Sequence, residues 1–309
     1  MNTSVSVQIA IIGGGIAGLW LLNRLNREGY DAVLLEKGEL GQSQTLASQG
    51  IIHGGLKYAL NGVLSPASSA IAEMPARWRR CLAGEDIVDL RGTKLLSGHY
   101  YMWSGGSARS RLKTFLGSKA LRGRIDAVPA EQYPEFFRDA SGKPQIKGTL
   151  YQLSDFVVDT PSLLQTLAAP FSNRIFQCAD IQWQAADQLL LSHNNQQLIL
   201  KADRIILCAG EGNEALLEGW PAPAGISKPE MQRRPLHMTS VRVSHPAPPY
   251  LHCIGDSFGM TPRLTITSHP CKEDGNGWIW YLGGELAESG VKRNAQEQQQ
   301  TAKKELETL

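Results

Sequence analysis

Gly13, Gly15 and Gly18 follow the spacing G-x-G-x-x-G, directly after the apolar run Val7-Gln8-Ile9-Ala10-Ile11-Ile12. A turn of this kind can hold a pyrophosphate. Gly13 supplies the backbone angles of the turn, Gly15 lets main chain approach phosphate oxygens without a Cβ in the way, and Gly18 lets the next helix pack closely on the sheet. The phosphates then meet the free N–H groups and the positive dipole end of that helix. Glu36 closes the second apolar strand, where a carboxylate can accept both hydroxyls of an adenosine ribose. An acid there, in place of an arginine-rich turn, argues against a 2′-phosphate and favours FAD or NAD over NADP.

The elements that must position these residues are legible along the chain. Its 309 residues suffice for about two domains, and 42% hydrophobic with 19% charged residues is ordinary for an α/β protein. A net charge of +2 gives no global pull toward nucleic acid or membrane, and no nucleic-acid partner is expected. Five scattered cysteines form no C-x-x-C pair, zinc pattern or disulfide framework, which suits free thiols in a reducing cytoplasm. The apolar start lacks the positive charge of a secretion signal, and three glycines interrupt it.

Helices are predicted over 66–82, 107–124, 162–167, 214–217 and 294–309, and strands over 93–103, 146–153, 175–183, 188–192 and 197–200. The run Ala202-Asp203-Arg204-Ile205-Ile206-Leu207-Cys208-Ala209-Gly210 reads as a buried strand entering a glycine turn, and it belongs with the first sheet. Beyond the proline-rich segment 220–229, strands dominate at 237–243, 250–254, 263–267 and 278–282. The expected fold class is α/β: a discontinuous Rossmann-type domain over 1–90 and 150–222, with a second, strand-rich (α+β) domain over 91–149 and 223–309; a family resemblance carried by three segments makes the first the FAD-binding domain and the second the substrate domain.

Three segments, the N-terminal fingerprint, Ser48-Gln49-Gly50-Ile51-Ile52-His53-Gly54-Gly55-Leu56-Lys57-Tyr58 and Ala202 to Asn213, together resemble the D-amino-acid oxidase superfamily of FAD-dependent oxidoreductases. The middle segment is similar to that of FAD-dependent glycerol-3-phosphate dehydrogenases and equally to that of L-2-hydroxyglutarate dehydrogenases. The resemblance implies FAD as cofactor, with contacts from Ile16, Ala17, Lys37, Thr45, Ser48, Gln49, Gly50, Ile52, Gly54, Gly55, Ala209 and Gly210 beside the fingerprint residues and Glu36. It implies that Ser43 to Ser48 wrap the pyrophosphate and ribitol, and that Ile51 to Gly55 run beside the isoalloxazine ring. His53 is then a flavin contact or a cation that stabilises negative charge on reduced flavin; a structural histidine bonded to backbone is the alternative.

An anionic small-molecule substrate needs a clamp and a proton acceptor. Arg233, Arg234 and Arg263 are candidates for the first, His237 and His252 for the second, with His53, Arg263 and His237 the foremost catalytic candidates. Residues 107–124 carry six basic residues and no acid. A basic amphipathic helix there can lie on an anionic membrane, which suits electron transfer to quinone, or meet tRNA phosphates, or simply be solvated. The electron acceptor itself is not specified. Such enzymes also close the flavin site with a C-terminal glycine-rich segment, which this sequence lacks, so truncation and weak flavin retention are expected. Rival functions are an NAD-dependent dehydrogenase and a nucleotide-binding fragment without turnover.

Overall fold

The computed structural model describes residues 3–55, 70–104, 125–194, 196–244, 247–254, 262–271 and 277–309. The expected basic helix at 107–124 and the segment Leu56-Lys57-Tyr58 lie outside the described residues. Two compact units divide the chain. Met1–Ser48, Arg80–Lys94 and Thr160–Arg233 make the first, and Gln49–Arg79, Leu95–Asp159 and Arg234–Leu309 the second.

Strand β1 (Thr3–Ile12) leads through helix α1 (Ile16–Arg27) to β2 (Ala32–Glu36). Short β3 (Ile51–Ile52) and helix α2 (Met74–Ala83) precede β4 (Leu95–Ser97), β5 (Tyr100–Ser104) and β6 (Ile125–Ala127). Next come β7 (Thr149–Leu153), β8 (Phe156–Val158) and helix α3 (Thr160–Ala168), which carries Pro161 in its first turn. Strands β9 (Ile175–Gln177), β10 (Asp180–Ala185), β11 (Gln188–His193) and β12 (Gln196–Leu207) follow, then helix α4 (Asn213–Gly219). Strands β13 (Thr239–Val243), β14 (Leu251–Ile254), β15 (Leu264–Pro270) and β16 (Trp278–Gly283) lead to helices α5 (Glu285–Gly290) and α6 (Ala295–Leu306).

The first unit is built on a sheet ordered β10-β11-β12-β1-β2-β9, in which β12, β1, β2 and β9 run parallel. Ile9 to Ile12 are all buried, as an inner parallel strand requires. Helix α1 turns Gly18, Leu19, Leu22 and Asn23 inward. The Asn23 amide donates to the Leu19 and Leu167 carbonyls at 2.9 and 2.6 Å, fastening α1 to α3. Gly13 has φ +113°, and a Cβ on it would lie 2.5 Å from the Cys208 carbonyl carbon. A Cβ on Gly18 would lie 2.0 Å from the Gly13 carbonyl oxygen. The fingerprint glycines therefore let the first turn, α1 and the end of β12 share one close contact.

The second unit holds a sheet ordered β13-β16-β15-β14-β5-β7-β6 and a small antiparallel one ordered β3-β8-β4. Strand alternation sorts the large sheet into two faces. Leu251, Cys253, Leu264, Ile266, Trp280 and Leu282 pack on the α5–α6 side with Leu286 and Ala302. Tyr100, Met102, Tyr151, Leu153, Tyr250 and Ile254 face the other way and meet Val157 of β8. Helix α6 begins with a full capping box, Asn294 and Glu297 each bonding the other's backbone N–H.

Three strand expectations differ from the observed ladders. Residues 175–183 form two strands, because Cys178 N–H bonds the Glu36 carbonyl while Ala179 N–H bonds that of Ser192. Residues 196–207 form one unbroken strand, because Lys201 is paired with both Gln188 of β11 and Ser6 of β1. Residues 93–103 break at Gly98-His99, where the Ser97 hydroxyl bonds the His99 carbonyl at 2.6 Å. Gly18→Ala should lower unfolding stability by roughly 1–3 kcal/mol through overpacking. An unchanged urea midpoint would show that α1 is free to shift.

Candidate active site

The β1–α1 turn presents an open helix start. Gly15 is the N-cap of α1, with no side-chain cap and no acid in the first turn. Gly15 and Ile16 are half-buried and Ala17 is exposed. A Cβ on Gly15 would meet the Thr45 hydroxyl at 3.2 Å, and Ile16 N–H donates to that same hydroxyl at 3.2 Å. Glu36 accepts from Gly14 N–H at 2.5 Å through one oxygen and from Gly38 N–H at 2.8 Å through the other. Two bonds leave roughly two of a carboxylate's four lone-pair sites open to further donors. After β12, Ala209 N–H is held by the Asn213 side chain at 2.8 Å, and Gly210 takes φ +58° against Gln44. Lys37 pairs with Asp180 at 2.9 Å, and that bond holds the Asp180 carboxyl below its ordinary range. Ser48 donates to the Thr45 carbonyl at 2.8 Å.

Gln49 to Gly55 belong to the second unit and are fastened to it from both ends. The Gln49 amide donates to the carbonyls of Tyr281 at 2.9 Å and Thr265 at 3.3 Å. Gly283 admits it, since a Cβ there would lie 2.6 Å from the Gln49 side-chain oxygen. The Gly50 carbonyl accepts from Val158 N–H, and Ile51 and Ile52 pair with Val157 and Phe156. Gly55 takes φ +75° beside Ile71. Asp155 lies in the Ser154-Asp155 turn between β7 and β8. It accepts from Gly54 N–H at 3.0 Å and faces Nδ1 of His53 at 3.3 Å.

His53 stacks on His252, with ring centroids 6.1 Å apart and planes at 12°. Nδ1 of His252 is 2.9 Å from the Thr265 hydroxyl, and its ring lies 4.6 Å from that of Tyr100. Tyr100 is fully buried with its hydroxyl 2.7 Å from the Ile266 carbonyl; burial, with Cys253 and Asp155 nearby, pushes that hydroxyl well above the usual tyrosine range. His269, on the same sheet face, packs edge-on against Tyr281 at 4.8 Å, and burial pulls its imidazole down. The chain thus brings His53 and His252 together with a carboxylate, within 4.8 Å of one another.

Arg263 and His237, the other two foremost catalytic candidates, are engaged elsewhere in this unit. The Arg263 guanidinium bonds Glu305 and the Thr308 hydroxyl at the end of α6. Nδ1 of His237 bonds the Gly290 carbonyl at 2.9 Å, and its backbone is held by Ala287 and Gln298. Arg233 pairs with Glu214 within the first unit. Asp155 was missed at the level of sequence, where a Ser-Asp pair between apolar runs is an ordinary turn signal.

A family model described as FAD dependent oxidoreductase, DAO, matches residues 8–306. The chain belongs to the DAO family of FAD-dependent oxidoreductases. It is similar to the probable FAD-dependent oxidoreductase PA4991 of Pseudomonas aeruginosa, with 44% identity over 310 residues that span 100% of this chain and 76% of the relative. The crystal structure of that Pseudomonas aeruginosa protein superposes with a TM-score of 0.78 at 37% identity, covering 100% of this chain and 74% of the other. L-α-glycerophosphate oxidase from Mycoplasma pneumoniae with FAD bound shares the fold at TM-score 0.59 and 16% identity, over 91% of this chain and 72% of that one. No described helix is long and apolar enough to cross a membrane.

The first unit's residues fit the nucleotide end of FAD: a helix start whose N-cap glycine offers no side-chain cap and no acid, and a carboxylate with acceptor capacity left. Glu36→Ala deprives Gly14 and Gly38 of an acceptor as well. It should weaken FAD binding about tenfold or more, roughly 1.4 kcal/mol, and lower the stability of the FAD-free chain by roughly 1–3 kcal/mol. Titration of the variant with FAD and its urea unfolding check the two effects separately.

Proposed function

We propose that this FAD-dependent oxidoreductase oxidises a small anionic hydroxy acid, amino acid or polyol phosphate, with His53 at the reacting end. FAD, when bound, supplies the two-electron acceptor. Gly13, Gly15, Gly18 and Glu36, with Thr45 and Gly210, hold its nucleotide end. The Gln49 to Gly55 loop carries the chemistry of the second unit.

The observation that supports this reading is the pair of stacked imidazoles, His53 after β3 and His252 on β14, within the second unit. Two neighbouring imidazoles offer both an N–H donor and a lone pair, which suits a substrate carrying an anionic group beside an O–H or N–H. Holding such a group still is worth several orders of magnitude in rate when the reacting atoms are aligned. In this proposal Arg263 and His237 fasten α5 and α6 and take no part in substrate binding. Cysteines that form no disulfide suit a reducing cytoplasm, and the basic residues of 107–124 are assigned to peripheral contact with an anionic membrane surface.

The test is a visible spectrum of the purified chain with FAD, followed by anaerobic addition of 2-hydroxy acids, amino acids, glycerol 3-phosphate and neutral alcohols. Bleaching of the flavin bands by one anionic class and not by neutral alcohols is the expected result. His53→Gln should keep its flavin and bleach 10²- to 10⁴-fold more slowly, the usual contribution of a positioned acid or base. Bleaching by neutral alcohols alone would overturn the substrate class, and an unaffected His53→Gln rate would remove His53 from the reaction.

A further inference from the structure

One carboxylate reads two consecutive residues of the His53-Gly54-Gly55 turn. Oδ1 of Asp155 accepts Gly54 N–H at 3.0 Å, and Oδ2 faces His53 Nδ1 at 3.3 Å. The carboxylate is 3% exposed, whereas the His53 side chain is 55% exposed. The close approach depends on glycine: a Cβ on Gly54 would lie 3.0 Å from Asp155 Oδ1 and 2.8 Å from the Ser154 hydroxyl. The ring plane of His53 is set a second time by its stack on His252, whose own Nδ1 is held by Thr265. With Nδ1 facing Asp155 and the side chain 55% exposed, Nε2 is the ring nitrogen left for a ligand.

We infer that Asp155 is the positioning residue of the site: it keeps the proton of neutral His53 on Nδ1, so that the Nε2 lone pair is the proton acceptor presented to substrate. This rests on the reading of His53 as the reacting histidine. An ionised carboxylate can only accept, so the ring nitrogen facing it must be the donor, and the tautomer follows. In the proton step the substrate O–H or N–H bond breaks, its proton forms a bond to Nε2, and the resulting imidazolium lies against the Asp155 carboxylate. The pairing stabilises that charge only after transfer, so it acts on the reacting state more than on the resting one.

The same geometry predicts an unusual effect of Asp155→Asn. The single carbonyl oxygen of the substituted side chain must still take Gly54 N–H, so the amide NH₂ is turned toward His53 Nδ1. A donor in that place forces Nδ1 to accept and moves the proton to Nε2. Loss of rate through a wrong histidine tautomer has precedent in the serine-protease triad.

The experiment is ¹⁵N spectroscopy of histidine side chains in the full 309-residue chain, with and without FAD, above the pH at which imidazoles titrate. His53 is assigned by His53→Gln. Wild type should show the Nδ1–H tautomer, and Asp155→Asn the Nε2–H tautomer with unchanged far-ultraviolet circular dichroism. An Nε2–H tautomer in wild type would overturn the inference, because the proton would then reside on Asp155 or be directed elsewhere. A tautomer unmoved by Asp155→Asn would overturn it as well. If Asp155→Asn does not fold, the wild-type tautomer alone decides. No substrate enters the measurement, so an error in the substrate class leaves this result standing.

Discussion

The β1–α1 turn and the end of β12 occupy almost the same space, and the first unit is arranged around that fact. Atoms of Gly13, Gly18, Cys208 and Ala209 are so close that a single methyl at 13 or 18 would overlap backbone. Backbone does not yield as the tip of a flexible side chain does, so only glycine satisfies both positions. The contact joins residues almost 200 positions apart, since Ile12 pairs with Leu207. Closing so long a loop is costly, and the parallel ladder of nine register pairs between β1 and β12 offsets that cost once formed. The open start of α1 follows from the same packing, because the helix axis is fixed by Gly18 against the sheet.

The fingerprint was legible because everything that defines it is local: strand, turn, helix, strand and acid occupy the stretch from Val7 to Glu36. Membership of β12 in the first sheet was legible too, from the unbroken apolar run of Ile205 to Cys208 alone. What sequence hid is which neighbour each strand chooses. The stretch 175–183 looks continuous, yet two neighbouring residues at its middle, Cys178 and Ala179, donate to Glu36 and Ser192, which lie on different strands. Side-chain periodicity carries no record of where a backbone N–H is spent.

The same limit governs the site. Arg263 and His237 resemble a clamp and a base as long as their partners are unknown. The partner of Arg263 lies 42 residues away on α6, and that of His237 lies 53 residues away at the end of α5. Asp155 lies 102 residues from His53, in a turn whose composition is what any hairpin would carry. The His-Gly-Gly pattern was readable as a place of close approach. The approach it makes within its own unit is to a carboxylate, which composition alone does not distinguish from approach to a flat ring.

Two carboxylates, Glu36 and Asp155, are used in the same way in the two units. Each accepts a glycine N–H through one oxygen and meets a second polar group through the other, Gly14 with Gly38 N–H in one case and Gly54 with the His53 ring in the other. Their burial separates their roles. Glu36 ends an inner strand and is only half-buried, so its remaining lone pairs stay open to a ligand's hydroxyls. Asp155 is almost wholly buried, so its charge must be answered by the groups already around it. Gly54 N–H answers one oxygen by a neutral hydrogen bond, and His53 can answer the other more strongly once it carries a proton.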